Sequence, residues 1–201
     1  MKTGNRSRRT TLLGLLTAIL MVFGMTPLGY LNIGPLAISF NMIPVAIGAA
    51  ALGPVGGAIL GAVFGMTSFL QCIGIGGSSA MGVILFDINP IFAFIQRFVP
   101  RVTAGFLVGV IYQLARKVCK PGLAGSIAGF CAALLNTVLF MGALVLLFGN
   151  TQYLTDLIAG RNVIVFICTF VGVNAVAEAL ATTAVTGALT AALERSGLLR
   201  R

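Results

Sequence analysis

The chain has 201 residues, of which 58% are hydrophobic and only 8% charged, with a formal net charge of +9 and neither histidine nor tryptophan. A soluble domain carries charge on about a quarter of its residues, so this composition excludes one. The lack of histidine excludes Ser-His and Cys-His catalysis, histidine-ligated zinc or haem, and histidine proton relays.

In chain order, basic residues Lys2, Arg6, Arg8 and Arg9 precede an apolar run that ends near Pro27. A secretory signal has a similar opening, but this run leads into further apolar runs and shows no clear small-residue cleavage site, so it predicts a retained first helix over 11–27. The segment LGYLNIGPLAISFN that follows is too broken to span a membrane and too apolar for an ordinary loop. It is expected to fold back over the protein. Met42–Leu70 is too long for one straight helix, and Gly53-Pro54 punctuates its middle. Glycine ends helices and proline starts them, which predicts short spans over 42–52 and 55–70; one long kinked helix is the alternative. A second glycine-rich stretch, Gln71 to Pro90, is read as non-spanning. Spans over 91–114, 122–148 and 163–193 complete the chain, with a polar loop, GNTQYLTDLIAGRN, before the last.

Six spans give an all-α, multi-pass membrane bundle in a single domain, 1–201. Positively charged residues collect on the cytoplasmic side of membrane proteins. Under six spans, every basic residue except Arg97, Arg101 and Arg161 falls on one face, so both termini are expected in the cytoplasm. Five spans would scatter these groups over both faces. The same distribution accounts for the net charge without nucleic acid.

Polar groups inside a span need a partner or a wet cavity. Asn41, Gln71, Gln96, Arg97 and Arg101 fall near the outer side, Asn136 and Asn174 near mid-span, and Glu178 deeper, one turn after Asn174. Together they predict a polar pocket opening outward, lined by Asn41, Gln71, Gln96, Arg101, Asn136 and Asn174. For Arg97, snorkelling to headgroups or pairing with Asp87 is the favoured reading. Arg101, after Pro100, divides evenly between pocket and scaffold. No phosphate-binding G-x-x-x-x-G-K-[ST] loop occurs, so ATP would have to be hydrolysed by another chain. Cys72, Cys119, Cys131 and Cys168 are scattered and read as packing residues, with no metal site, cofactor or catalytic residue predicted. The row Gly57, Gly61, Gly65 has the small-xxx-small spacing of close helix contacts and reads as internal packing; Gly14 and Ala18 share that spacing.

The runs LGPVGGAILG and PRVTAGFLVG, within six short spans that follow a basic start, resemble the substrate-binding S components of energy-coupling factor (ECF) vitamin transporters. The resemblance covers nearly the whole chain. It implies a six-helix S-component bundle in the plasma membrane of a prokaryote. It also implies a vitamin pocket at the outer helix ends, with family pocket positions near Asn136 and Asn174. The partners it implies are an EcfT-like transmembrane coupling subunit and two cytoplasmic ATPase subunits. The family's first helix docks on the coupling subunit through Ala-x-x-x-Ala; this chain has Gly14 and Ala18 there. Few stacking aromatics and several amide side chains favour an aliphatic acid with amide and hydroxyl groups, so pantothenate is placed first, riboflavin or another vitamin next. An ion-coupled secondary transporter working through Glu178 and a structural membrane subunit are the alternatives.

Overall fold

The computed structural model describes residues 2–26, 29–33, 36–76, 79–158 and 163–197; within these, side chains are described except at 2–6, 30–38, 157, 163–171, 173 and 174. Helix α1 (Lys2–Met25) leads into an antiparallel hairpin of β1 (Tyr30–Ile33) and β2 (Leu36–Ser39), in which Tyr30 faces Ser39 and Ile33 faces Leu36. The hairpin is the one departure from an all-helical chain among the described residues. It folds back against the last helix, as the broken, apolar character of its sequence predicts.

Proline, glycine and short polar side chains set the next boundaries. Helix α2 (Met42–Leu52) ends where the Gly53 N–H bonds the Ala49 carbonyl at 3.0 Å. Gly53 has φ +85°, a conformation that costs glycine little and other residues more. Pro54 opens α3 (Pro54–Leu70), and a 3₁₀ turn, Gln71–Ile73, follows. The Ser79 hydroxyl accepts the Gly82 N–H at 3.3 Å and starts α4 (Ala80–Ile88). Asn89 caps α5 (Pro90–Ala115), its Oδ1 accepting the Ile91 and Phe92 N–H groups at 3.0 and 3.1 Å. Each cap satisfies donors that the first helical turn leaves without intrahelical partners. Pro121 opens α6 (Pro121–Phe148), and α7 (Gln152–Ile158) and α8 (Val163–Arg195) complete the chain. Helices α4 and α7 lie in the glycine-rich and polar-loop segments between the expected spans. Their start signals are hydroxyl caps, Ser79 for α4 and Thr151, which accepts the Leu154 N–H at 3.4 Å, for α7.

Among the described residues, five helical stretches are long and apolar enough to cross a membrane: Ser7–Met25, Pro54–Ile73, Pro90–Ala115, Pro121–Phe148 and Ala175–Arg195; α2 is apolar but shorter. Large apolar side chains such as Leu15, Val55, Phe106, Leu134, Leu146 and Leu180 face outward around the bundle, as lipid contact demands.

Inside the bundle, lipid is as apolar as leucine, so helices associate through close backbone packing rather than through a hydrophobic drive. The row Gly57, Gly61, Gly65 lies directly on α5: a Cβ at Gly57 would overlap the Gly105 carbonyl, and one at Gly61 would overlap the Arg101 carbonyl. The small-residue row is therefore internal packing, and it fixes Arg101 against α3. Gly125 and Gly129 of α6 approach Thr190 and Thr182 of α8 in the same way.

The two ends of the bundle are chemically distinct. At one, Arg9 Nη2 donates to the Leu52 carbonyl at 2.8 Å and Arg116 bonds Glu194, with Arg8, Lys117, Lys120 and Arg195 exposed around them. The other carries the hairpin, α4 and the buried Asn41, Gln71, Gln96, Arg97 and Arg101.

Candidate functional site at the hairpin end

Arg97 and Arg101 lie one turn apart on α5, both buried. A buried charge is costly unless it is paired and hydrogen-bonded. Arg97 meets this need with two hydroxyls, Ser68 on α3 at 3.3 Å and Ser79 before α4 at 3.2 Å. It thereby holds the cap of α4 against α3. Snorkelling and pairing with Asp87 are not what the geometry shows, since Arg97 is buried on these serines and Asp87 is exposed. Arg101 Nη1 donates to the Arg97 carbonyl at 2.7 Å. In that same turn Pro100 has no N–H to offer the Gln96 carbonyl. Both guanidiniums lie over aromatic rings: Arg101 is 4.4 Å from the centroid of Phe64 and 4.8 Å from that of Phe140, and Arg97 is 5.2 Å from Phe140. A desolvated cation–π contact contributes about 2 kcal/mol.

Across from Arg101, Glu178 of α8 is 8% exposed. It is in electrostatic reach of Arg101 and lies beside the Ser39 backbone N–H and the Asn136 amide. Asn136 lies one turn before Phe140 on α6. Ser39 also connects to the start of α2, where Asn41 Nδ2 donates to its hydroxyl at 3.2 Å. Arg97, Arg101, Phe140, Asn136, Glu178, Ser39 and Asn41 thus form one connected cluster drawn from the hairpin, α2, α5, α6 and α8.

This cluster is rich in unused acceptors. Asn41 Oδ1, Asn136 Oδ1 and Glu178 Oε1 are buried with no hydrogen-bond partner among the described residues. Native structures pair nearly all such atoms, so three together set this cluster apart as the candidate site.

Of the residues singled out from sequence, Asn41, Arg101 and Asn136 meet in this cluster. Gln71 has a scaffold bond: its Nε2 donates to the Gly24 carbonyl at 2.6 Å and ties α1 to the end of α3. Gln96 is wholly buried, and neither end of its amide has a partner among the described residues. Its helical position follows Phe92 by one turn, and Phe92 meets Phe148 of α6 edge-on at 6.1 Å. The Asn174 side chain and Arg161 lie outside the described residues. Sequence reasoning missed Phe64, Phe140, Ser39, Ser68 and Ser79. Phe140 carried a usable signal, because it follows Asn136 by one helical turn and so shares its face. Among the described residues no group of histidine, cysteine or carboxylate side chains has a metal-binding arrangement, and Cys72, Cys119 and Cys131 are free thiols.

Long apolar helices around buried ionisable groups define a class: helical membrane proteins with a polar site inside the bundle, where ionisable residues mark functional positions. The chain belongs to the family of ECF transporter substrate-specific components, whose model matches residues 8–190. It is 25% identical over 207 residues to the pantothenic acid transporter PanT of Lactococcus lactis subsp. cremoris (strain MG1363), an alignment covering 96% of this chain and 98% of that relative. The family is one of transporter components rather than of enzymes.

Proposed function

We propose that this chain is the substrate-capture subunit of an ATP-driven vitamin importer, and that it binds pantothenate at the hairpin end of the bundle. The observation that carries the reading is the buried cluster of Arg101, Asn136 and Glu178, with two unused acceptor oxygens beside a guanidinium. Pantothenate offers a carboxylate for the guanidinium and hydroxyl and amide groups for the side-chain amides. The similarity to a pantothenic acid transporter over nearly the full length supports the same choice. Asn41, Gln71, Gln96, Arg101, Asn136 and Asn174 remain the proposed binding set; riboflavin or another vitamin is the next choice of ligand.

In this reading the bundle crosses the plasma membrane of a prokaryote six times, with α2 as a short span. The basic end faces the cytoplasm with both termini, and the hairpin end faces outward. An EcfT-like coupling subunit and two cytoplasmic ATPase subunits supply the energy. Gly14 and Ala18 are exposed on α1, and nothing approaches the position of a Cβ on Gly14, so that face is open to the coupling subunit.

The test is mass spectrometry of small molecules that co-purify with the detergent-solubilised chain. Pantothenate in stoichiometric amount supports the assignment, and a different vitamin replaces the ligand while keeping the class. Ion-driven uptake by vesicles holding this chain alone would establish a secondary transporter instead.

A further inference from the structure

The cluster contains a carboxylate whose two oxygens have different fates. Two polar groups border Glu178, the Ser39 N–H from the hairpin and the Asn136 amide from α6. Its Oε1 is nevertheless buried and without a partner among the described residues. A carboxylate only accepts hydrogen bonds, so beside Glu178 the favourable orientation of the Asn136 amide presents NH₂ to the carboxylate and turns Oδ1 away. Asn136 Oδ1 is likewise buried and unpartnered. Two acceptor oxygens from adjacent side chains on α6 and α8 are therefore left unused, with Arg101 in electrostatic reach of the carboxylate.

A buried acceptor without a donor is destabilising. A scaffold that needed only packing would have placed apolar side chains at both positions. A ligand carboxylate would be repelled by Glu178 and could not donate to either oxygen. A hydroxyl answers the whole environment: it donates its proton to an acceptor and can accept from a guanidinium.

Building on the vitamin-capture reading, we propose that Glu178, bordered by Asn136 and Ser39, is a specificity determinant that accepts a hydrogen bond from a substrate hydroxyl. Arg101 then attracts the anionic end of the substrate, and the Glu178–Asn136 pair selects for hydroxylated acids over plain ones. This division assigns opposite ends of one small molecule to opposite charges in one site. It also gives the carboxylate a role without any ion coupling. Sites built to hydrogen-bond a substrate group discriminate strongly against the analogue lacking it, because the buried protein group is then left unpaired.

The experiment is a double-mutant cycle read by calorimetry on the full chain, with pantothenate and a dideoxy analogue in which hydrogen replaces each hydroxyl. The two chains are wild type and Glu178→Met, which keeps the side-chain length and removes both acceptors. In wild type, loss of the hydroxyls is expected to weaken binding roughly tenfold or more. In Glu178→Met most of that penalty should vanish, because the acceptor is already gone. Asn136→Ala provides the second variant should Glu178→Met fail to fold, and the same non-additive pattern is expected. Equal losses of both ligands, in whichever variant folds, would assign Glu178 and Asn136 to the scaffold and overturn the proposal while leaving the vitamin reading intact. A wild-type chain that binds neither ligand overturns the choice of pantothenate and this proposal with it.

Discussion

Arginine and glutamate occur at both ends of this bundle, and they do different things there. At the basic end, Arg116 and Glu194 make an ion pair at 3.1 Å with side chains 34% and 36% exposed. Water screens such a pair, and side-chain entropy offsets most of its gain. At the hairpin end, Arg101 and Glu178 are buried and interact without closing an ion pair of that kind. Arg101 rests on two phenylalanine rings instead, and the carboxylate keeps an oxygen free of partners among the described residues. The difference teaches where to look for function in an apolar protein. Arg116 and Glu194 at the surface satisfy each other, whereas the buried Glu178 keeps an acceptor oxygen open inside the bundle, an arrangement that packing alone would not require.

Two substitutions sharpen that contrast. The larger effect is expected from Arg101→Ala, which removes the cation that the proposed carboxylate would meet. Affinity for pantothenate should fall about a hundredfold, the usual range for truncating one partner of a buried charged contact. Binding of pantothenol, whose neutral alcohol replaces the carboxylate, should change by less than about threefold. Calorimetric titration of both ligands reads the two numbers; equal losses would return Arg101 to a scaffold role. The smaller effect is expected from Arg116→Ala. Loss of a half-exposed pair costs at most about 1 kcal/mol, so thermal melting in detergent should shift little and pantothenate affinity should stay at the wild-type value. A large drop in affinity from Arg116→Ala would erase the distinction between the ends.

Much of the scaffold was legible in the sequence because glycine and proline act locally. Gly53-Pro54 requires a positive φ followed by a helix start, and the helices do stop and restart there. The glycine row at 57, 61 and 65 announced a close helix contact, although not that its partner would be the arginine-bearing turn of α5. Helices α4 and α7 were harder, because one serine and one threonine cap are weak signals inside glycine-rich or polar stretches. The hairpin was legible as a segment that returns to the bundle, but its strand pairing depends on two short stretches meeting in register.

The site was legible in part. Hydropathy alone exposes any polar residue in an apolar run, which is why Asn41, Arg101 and Asn136 stood out. It does not reveal which partner each one meets. Gln71 proved to be tied to the Gly24 carbonyl across 47 positions of sequence, and Arg97 to two serines from other elements. Glu178 looked weak from sequence because its neighbours come from the hairpin and α6. Phe64 and Phe140 were invisible for the opposite reason: among 14 phenylalanines, nothing local distinguishes a ring under a guanidinium from one facing lipid.

The central claim is that the hairpin end, not the basic end, receives the substrate. Hydrogen–deuterium exchange of the full chain in lipid nanodiscs, with and without saturating pantothenate, tests it most directly. Binding at the proposed cluster should slow exchange in segments 36–41 and 71–89 and leave segment 116–122 unchanged. Protection confined to the basic end, or no change anywhere under saturating ligand, would contradict the account.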